Sequence, residues 1–329
     1  MLSHHFPPSH HLKWSRSIPP ILTVPSGSEV TLTLLDGGNN QITPANAATA
    51  LSTFDPAIAD PATGPIYIQD AEPGDVLRVE FLELIPADYG WTAIFPGFGL
   101  LAEDFPEPQL KIWDLSDVGA SVSSGVRRAV FKPGIEVPIE PFLGVVGVAP
   151  AEEGELPTIP PYPMVGGNMD CRYASRVGSV LYLPVNVDGA LFSCGDGHAA
   201  QGDGEVCGTA IETPMRARVR LTVEKKEQRE GWALKCPHYV TKPLGTEEAI
   251  ARARLDKGEY AALGIHKDLR EASKMALRGL MDWLEREKGL TGAEAYMLAS
   301  VAASLKMAEV VDMPNYAVAC SLPLSLFTE

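Results

Sequence analysis

The chain has 329 residues, 45% of them hydrophobic and 21% charged, the composition of a globular protein with a sizeable core in one large domain or two modest ones. Lys and Arg number 27 against 42 Asp and Glu, a formal net charge of −15. That balance argues against a nucleic-acid binder, which needs clustered positive charge for the phosphate backbone, and it suits a neutral or cationic ligand.

Five cysteines, at 171, 194, 207, 236 and 320, are odd in number and form no CxxC pair, which predicts reduced thiols in a cytoplasmic protein. No stretch has the length of a membrane-spanning helix, and no apolar signal core follows Met1. Four of the seven histidines, His4, His5, His10 and His11, fall in the first eleven residues beside Pro7 and Pro8 and read as a weakly metal-binding tail. Trp14 and Pro19-Pro20 place the start of order near His11, which brings that histidine within reach of a folded site.

From Ile21 to Val148 the pattern is β structure broken by turns. Val30, Leu32 and Leu34 alternate with Thr31 and Thr33 up to an Asp36-Gly37-Gly38 turn. After the Glu72-Pro73-Gly74-Asp75 turn, Leu77, Val79 and Phe81 alternate in the same way. The aromatic run from Tyr89 to Gly99 reads first as core packing and second as the apolar wall of a small-molecule pocket. Gly144 to Val148 reads as a short buried strand, Glu152 to Pro163 as a surface connection, and Gly166-Gly167-Asn168-Met169-Asp170 as a compact turn presenting polar side chains.

The stretch from Gly189 to Glu212 concentrates the chemistry. Glycines at 195, 197, 202, 204 and 208 separate Asp196, His198, Asp203 and Glu205. In extended backbone, residues two apart share a side, so Asp196 and His198 can reach one ion, with Cys194 in the same phase. A carboxylate and an imidazole at that spacing suit zinc or a related divalent metal, and a solvated turn is the competing reading.

Beyond it, Ala217, Val219, Leu221 and Val223 alternate with Arg216, Arg218 and Arg220, a strand whose basic face looks to solvent or to an acidic neighbour. Leu269, Ala272, Ala276, Leu280 and Leu284 predict a helix stopped by Gly289. Thr291 and Glu294 form a capping box that opens a second helix, with Ala295, Leu298, Ala302 and Leu305 on one face. Tyr316, Val318, Cys320 and Leu322 alternate as a closing strand. The expected fold class is α+β: a β-rich, sandwich-like body with a C-terminal α/β portion carrying two helices. Residues 1–150 form a β-rich part, 151–225 the core with the Gly189–Glu212 stretch, and 226–329 the α/β part, within one compact unit.

These residues resemble the acetamidase/formamidase family of short-chain amide hydrolases. The resemblance runs from about His10 to Phe327. It is carried by His10-His11 with Trp14, Ile18-Pro19-Pro20, Thr63-Gly64-Pro65, Ala71 to Asp75, Gly90 to Gly99, Gly166 to Asp170, Gly189 to Glu212, and Val311-Asp312-Met313-Pro314-Asn315. It implies hydrolysis of a small neutral aliphatic amide to ammonia and a carboxylate, by a homo-oligomer. An amide carbonyl is a poor electrophile, and a metal both polarises it and activates water. On this reading Asp170, Asp196 and His198 are the candidate ligands and His11 is a further ligand or substrate contact. Glu205 is the general base, and Asn168 donates to the oxyanion.

One departure stands out: Ser304, before Leu305-Lys306, replaces the family's usual Asp. Two other readings compete, a Cys194 or Cys207 nucleophile and a non-catalytic metal-bearing β-sandwich. A Ser-Ser-Lys amidase is disfavoured, because Ser123-Ser124-Gly125 lacks the surrounding glycine-rich pattern.

Overall fold

Alternating apolar and polar residues build two sheets whose apolar faces meet. In the computed structural model, residues 9–116, 127–229, 234, 237–240, 259–309 and 316–328 are described. His4, His5, Cys236, Ser123-Ser124-Gly125 and Val311 to Asn315 lie outside the described residues.

The first sheet orders the strands His10–His11, Ala62–Ile68, Phe192–His198, Phe142–Gly147 and Gly166–Asn168, all antiparallel, with Leu22–Val24 parallel to Ala62–Ile68. The second orders His238–Val240, Val180–Pro184, Val76–Pro86, Met215–Glu224 and Ser28–Leu34, again antiparallel. Ile66, Ile68, Val146, Phe192 and Cys194 from the first sheet share one core with Leu34, Val79, Phe81, Leu183, Val219 and Leu221 from the second. The outward arginines of Met215–Glu224 find acidic neighbours: Arg216 pairs with Glu83 at 3.1 Å and Arg218 with Glu29 at 2.9 Å. Arg220 lies 2.6 Å from Glu29. Pairs this exposed add little stability, and their main effect is to fix strand register by charge.

Behind the sandwich lies a three-stranded sheet, with Tyr316–Pro323 between Glu259–His266 and Ser304–Glu309. The helix Leu269–Lys288 starts where the Asp268 side chain accepts from Glu271 N, and it stops at Gly289, whose φ of 62° favours glycine. The helix Gly292–Ala302 opens on the Thr291/Glu294 capping box. Residues 295–302 are buried on every side, packed with Ile94, Leu101, Trp113 and Val137 from the first half of the chain. Tyr296 Oη donates to Val206 O at 2.6 Å, and Ser300 Oγ donates to Thr209 O while accepting from Cys207 N at 3.1 Å. The helix thereby anchors the segment that follows Glu205.

Two expectations are corrected. The second helix ends at Ala302, so Ser304 and Leu305 lie on the Ser304–Glu309 strand instead of extending its apolar face. The Ala303 backbone, extended at ψ 159°, packs directly on the α-carbon of Gly202, and the chain turns away to pair with Tyr316–Pro323. Gly166–Asn168 is an edge strand paired with Val145–Gly147, and the turn begins after it.

Thr291→Ala removes the hydroxyl that accepts from Glu294 N. We expect a loss of about 1 kcal/mol, read as a lower urea midpoint at unchanged slope.

Candidate active site

Asp196 and His198 end the Phe192–His198 strand, and Asp196 adopts φ 56°. That left-handed residue breaks the alternation of side chains. Asp196 Oδ1 comes within 3.0 Å of His198 Nε2, while Cys194 packs into the sandwich core. Phe142 presses its ring edge-to-face on the imidazole at 4.9 Å.

Three more elements close on this pair. Glu212 is joined to Trp91 by reciprocal backbone bonds of 2.9 and 2.8 Å, and its Oε2 stands 3.2 Å from His198 Nε2. Asp170 is brought over the Phe142–Gly147 strand because Met169 N donates to Gly144 O at 3.0 Å, and Gln201 Nε2 donates to Asp170 O at 3.1 Å. Glu205 takes φ 42° and sets Oε1 3.9 Å from His198 Nε2. The donor atoms form two groups sharing the imidazole, Asp170–Asp196–His198 and His198–Glu205–Glu212, each within 4.8 Å.

Glycine is required at two places under this cluster. A methyl group on Gly37 would sit 2.6 Å from Asp196 Oδ1 and 3.0 Å from both Asp60 Oδ1 and Glu212 Oε2. One on Gly144 would collide with the Asp196 and Asp170 carboxylates.

Burying acids together shifts their protons. Burial raises Asp170 to about 7 and Asp196 to about 6, the former helped by the Asp196 charge and the latter against the pull of His198. Asp36 is raised to about 6 by burial, although Trp91 Nε1 donates to it at 3.0 Å. Burial, then the charges of Asp196 and Glu212, hold Asp60 well above the usual carboxyl range. Burial, then the Asp170 charge, does the same to Glu205. Burial alone would depress His198, but Asp196 and Glu212 outweigh it and hold the imidazolium well above its ordinary range.

Of the residues singled out in the sequence, Asp170, Asp196, His198 and Glu205 converge. Asn168 joins them indirectly: with its amide nitrogen facing Asp170, it donates to both carboxylate oxygens at 2.9 and 2.8 Å. His11 stands apart, with Nε2 at 2.8 Å from Ser193 Oγ and its ring against Trp14. Burial lowers His11 to about 4, with His10 and not the carboxylates as its charged neighbour. Asp36, Asp60 and Glu212 were missed. Asp36 looks like an ordinary turn residue, and nothing near Asp60 separates it from other Asp-Pro steps. Glu212 lies at the end of the Gly189–Glu212 stretch, where its distance from His198 gives no cue.

Glu205 also lines an open cleft of about 730 Å³ walled by Phe98, Leu100, Leu269 and Leu305. Phe98 therefore belongs to a pocket wall, while Trp91 and Ala93 of the same aromatic run are buried in a separate packing cluster. A buried acid–imidazole cluster that reaches a cleft through one carboxyl of raised proton affinity has the means to move protons at a bound substrate.

Comparison with known proteins agrees. The chain is a hydrolase of amide C–N bonds. It belongs to the Acetamidase/Formamidase family, whose model matches residues 3–156 and 151–329. It is 26% identical to the formamidase of Methylophilus methylotrophus, over 96% of this chain and 89% of that protein. It is 29% identical to the acetamidase of Mycolicibacterium smegmatis, over 61% of this chain and 63% of that one. Among solved structures, the gamma lactamase from Delftia acidovorans superposes with a TM-score of 0.84 at 25% identity, covering 97% of this chain and 90% of that one.

Two outcomes follow from the cluster. Gly144→Ala should leave the sandwich folded and lower turnover at least about 10²-fold, because the two carboxylates must move apart; steady-state rates and a thermal melt check this. The second concerns chelator-treated protein. Unfolded Asp side chains lose protons near 3.8, whereas Asp196 keeps its proton to about 6 and Asp170 to about 7. The folded state binds more protons in that window, so this contribution to stability falls as pH rises through it. Asp170→Asn should therefore gain stability relative to its parent as pH rises from about 4 to about 7 and hold that gain above it, read by urea midpoints at each pH.

Proposed function

We propose that the chain hydrolyses a small neutral aliphatic amide, of the formamide or acetamide type, to the carboxylate and ammonia with the help of a divalent metal, zinc first among the candidates. The observation that supports this most is the convergence of Asp170, Asp196 and Glu212 on one buried imidazole, with Glu212 Oε2 receiving no hydrogen bond among the described residues. A buried carboxylate oxygen without a donor, set among three further acids, calls for a cation, and imidazole nitrogen with carboxylate oxygen is a zinc-like set. Asp170, Asp196 and His198 would hold the ion. Once bound, it would polarise the amide carbonyl and make water acidic enough to attack near neutral pH.

The chain's own groups supply the rest. Glu205 lies between the cluster and the cleft, so its carboxyl takes the proton of the attacking water and returns it to the leaving nitrogen. Its raised affinity for a proton suits the second step, since neutral ammonia leaves far more readily than an amide anion. Asn168 fixes the orientation of Asp170, because its amide is already engaged there and is not free for an oxyanion.

The thiol mechanism is disfavoured: burial pushes Cys194 up to about 12 and Cys207 up to about 11, so neither offers a thiolate near neutral pH. The free, mostly buried cysteines among the described residues fit the reducing cytoplasm, which we take as its compartment together with a homo-oligomeric state. Among the described residues no helix is long and apolar enough to cross a membrane.

A panel of simple amides with metal analysis on the same preparation tests the proposal. We expect ammonia release, close to one divalent ion per chain, and loss of activity on strong chelation. Full activity in metal-free protein removes the metal from the mechanism. Glu205→Gln should keep the ion and lower kcat by roughly 10²–10⁴ with a much smaller change in KM. Reduced metal occupancy, partly restored by added metal, would instead make Glu205 a ligand. Cys194→Ala and Cys207→Ala should each retain substantial turnover.

A further inference from the structure

Asp170 and Glu205 approach one buried imidazole from two chain segments, Asp170 grouped with Asp196 on His198 and Glu205 grouped with Glu212 on it. They belong to separate irregular segments held at different places: Asp170 N donates to Gly144 O at 3.3 Å, and Glu205 N donates to Gly202 O at 3.2 Å. Two residues beyond Asp170 stands Arg172, and two residues before Glu205 stands Asp203. Arg172 Nε donates to Asp203 Oδ1 at 2.8 Å, and Tyr173 Oη donates to Asp203 Oδ2 at 3.1 Å. Arg172 Nη2 also donates to Tyr173 Oη at 2.7 Å and to Ser304 Oγ at 3.3 Å. The Arg172 side chain is only 12% exposed, so water screens the pair weakly.

We infer that the Arg172–Asp203 ion pair, closed by Tyr173, is a positioning device that ties the Asp170 and Glu205 loops together at a fixed separation. The inference rests on the proposed roles of Asp170 and Glu205. It assigns Arg172, Tyr173 and Asp203 no contact with substrate.

The backbone shows why a tether is needed. Glu205 at φ 42° lies in a conformation that non-glycine residues adopt at a cost. On its N-terminal side the turn is held by Gly202 N donating to Ser300 O at 3.0 Å and Leu305 N donating to Asp203 O at 3.0 Å. Both bonds tie the turn to the Ser300–Leu305 segment, and neither reaches the Asp170 loop. Gln201 reaches it through the Asp170 carbonyl, but as a neutral amide four residues from Glu205. The ion pair joins the two loops directly, two residues from Asp170 on one side and two from Glu205 on the other. Ser304 leaves Asp203 as the carboxylate bound to Arg172: a hydroxyl at 3.3 Å accepts one hydrogen bond and cannot compete with a charged group.

The test uses Arg172→Met, Arg172→Lys, Asp203→Asn and the Arg172→Met/Asp203→Asn double variant of the full chain, each with its thermal midpoint measured. Misplacing a proton carrier by about 1 Å costs up to roughly 10²-fold. Arg172→Met and Asp203→Asn should therefore each lower kcat about 10- to 100-fold, with KM within about threefold of the parent. Arg172→Lys keeps the charge and should recover most of the loss. The double variant should lose no more than the worse single, because either change alone breaks the one interaction. Losses that multiply in the double variant, or parental kcat in folded Asp203→Asn, overturn the inference.

Hydrogen exchange over residues 202–208 reads the tether without any substrate. Faster exchange in Arg172→Met and Asp203→Asn supports it, and unchanged protection refutes it even if the parent proves inactive on every amide tried. A parent without amidase activity but with the faster exchange defeats the functional reading and leaves the tether standing.

Discussion

Everything about this fold that bears on chemistry depends on packing acidic side chains together in a buried interior. Asp36, Asp60, Asp170, Asp196, Glu205 and Glu212 surround or adjoin one imidazole at the end of a buried strand. Left alone, such an assembly would raise its own proton affinities or fly apart. The sandwich prevents the second outcome by taking the acids from elements locked by backbone ladders: the Phe192–His198 strand, the bridge of Glu212 to Trp91, and the Asp170 loop bonded to Gly144. The first outcome remains, and it leaves Glu205, the carboxyl that borders the cleft, with a raised affinity for a proton.

The bare α-carbons of Gly37 and Gly144 are the counterpart of that rigidity. Carboxylates pack directly on backbone there, so the cluster is as close as atomic radii permit. The room that remains is on the Glu205 side, facing the cleft. The cluster is thus two-sided: its strand side is packed against backbone, and its loop side, with Glu205, faces the open cleft.

Much of this was legible in the residues. Strict alternation gave the strands Ser28–Leu34, Val76–Pro86 and Met215–Glu224, since half-buried antiparallel strands have a period of two. Helical spacing with a capping box gave the two long helices. Asp196 and His198 were found by their spacing, yet the rule that found them fails at Asp196 itself, whose left-handed backbone separates it from Cys194. Asp36, Asp60 and Glu212 were not legible, because long-range register brings them to His198 and no local pattern does. His11 was placed by the order of its neighbours, and burial then gave it a serine partner. Helix length was overread because Leu305 continues the apolar spacing although the backbone has already turned extended at Ala303.

The segment from Cys207 to Thr209 is held by Ser300, and the turn before Glu205 is held by Ser300 and Leu305, about a hundred residues later in the chain. During synthesis the sandwich strands emerge first and can pair while the ribosome is still making the C-terminal helices. The turn bearing Glu205 gains its bonds to Ser300 and Leu305 only when those later elements arrive. The nascent protein therefore passes through a long stage in which the strand-borne acids can be in place while the turn bearing Glu205 still lacks its bonds to the Ser300–Leu305 segment.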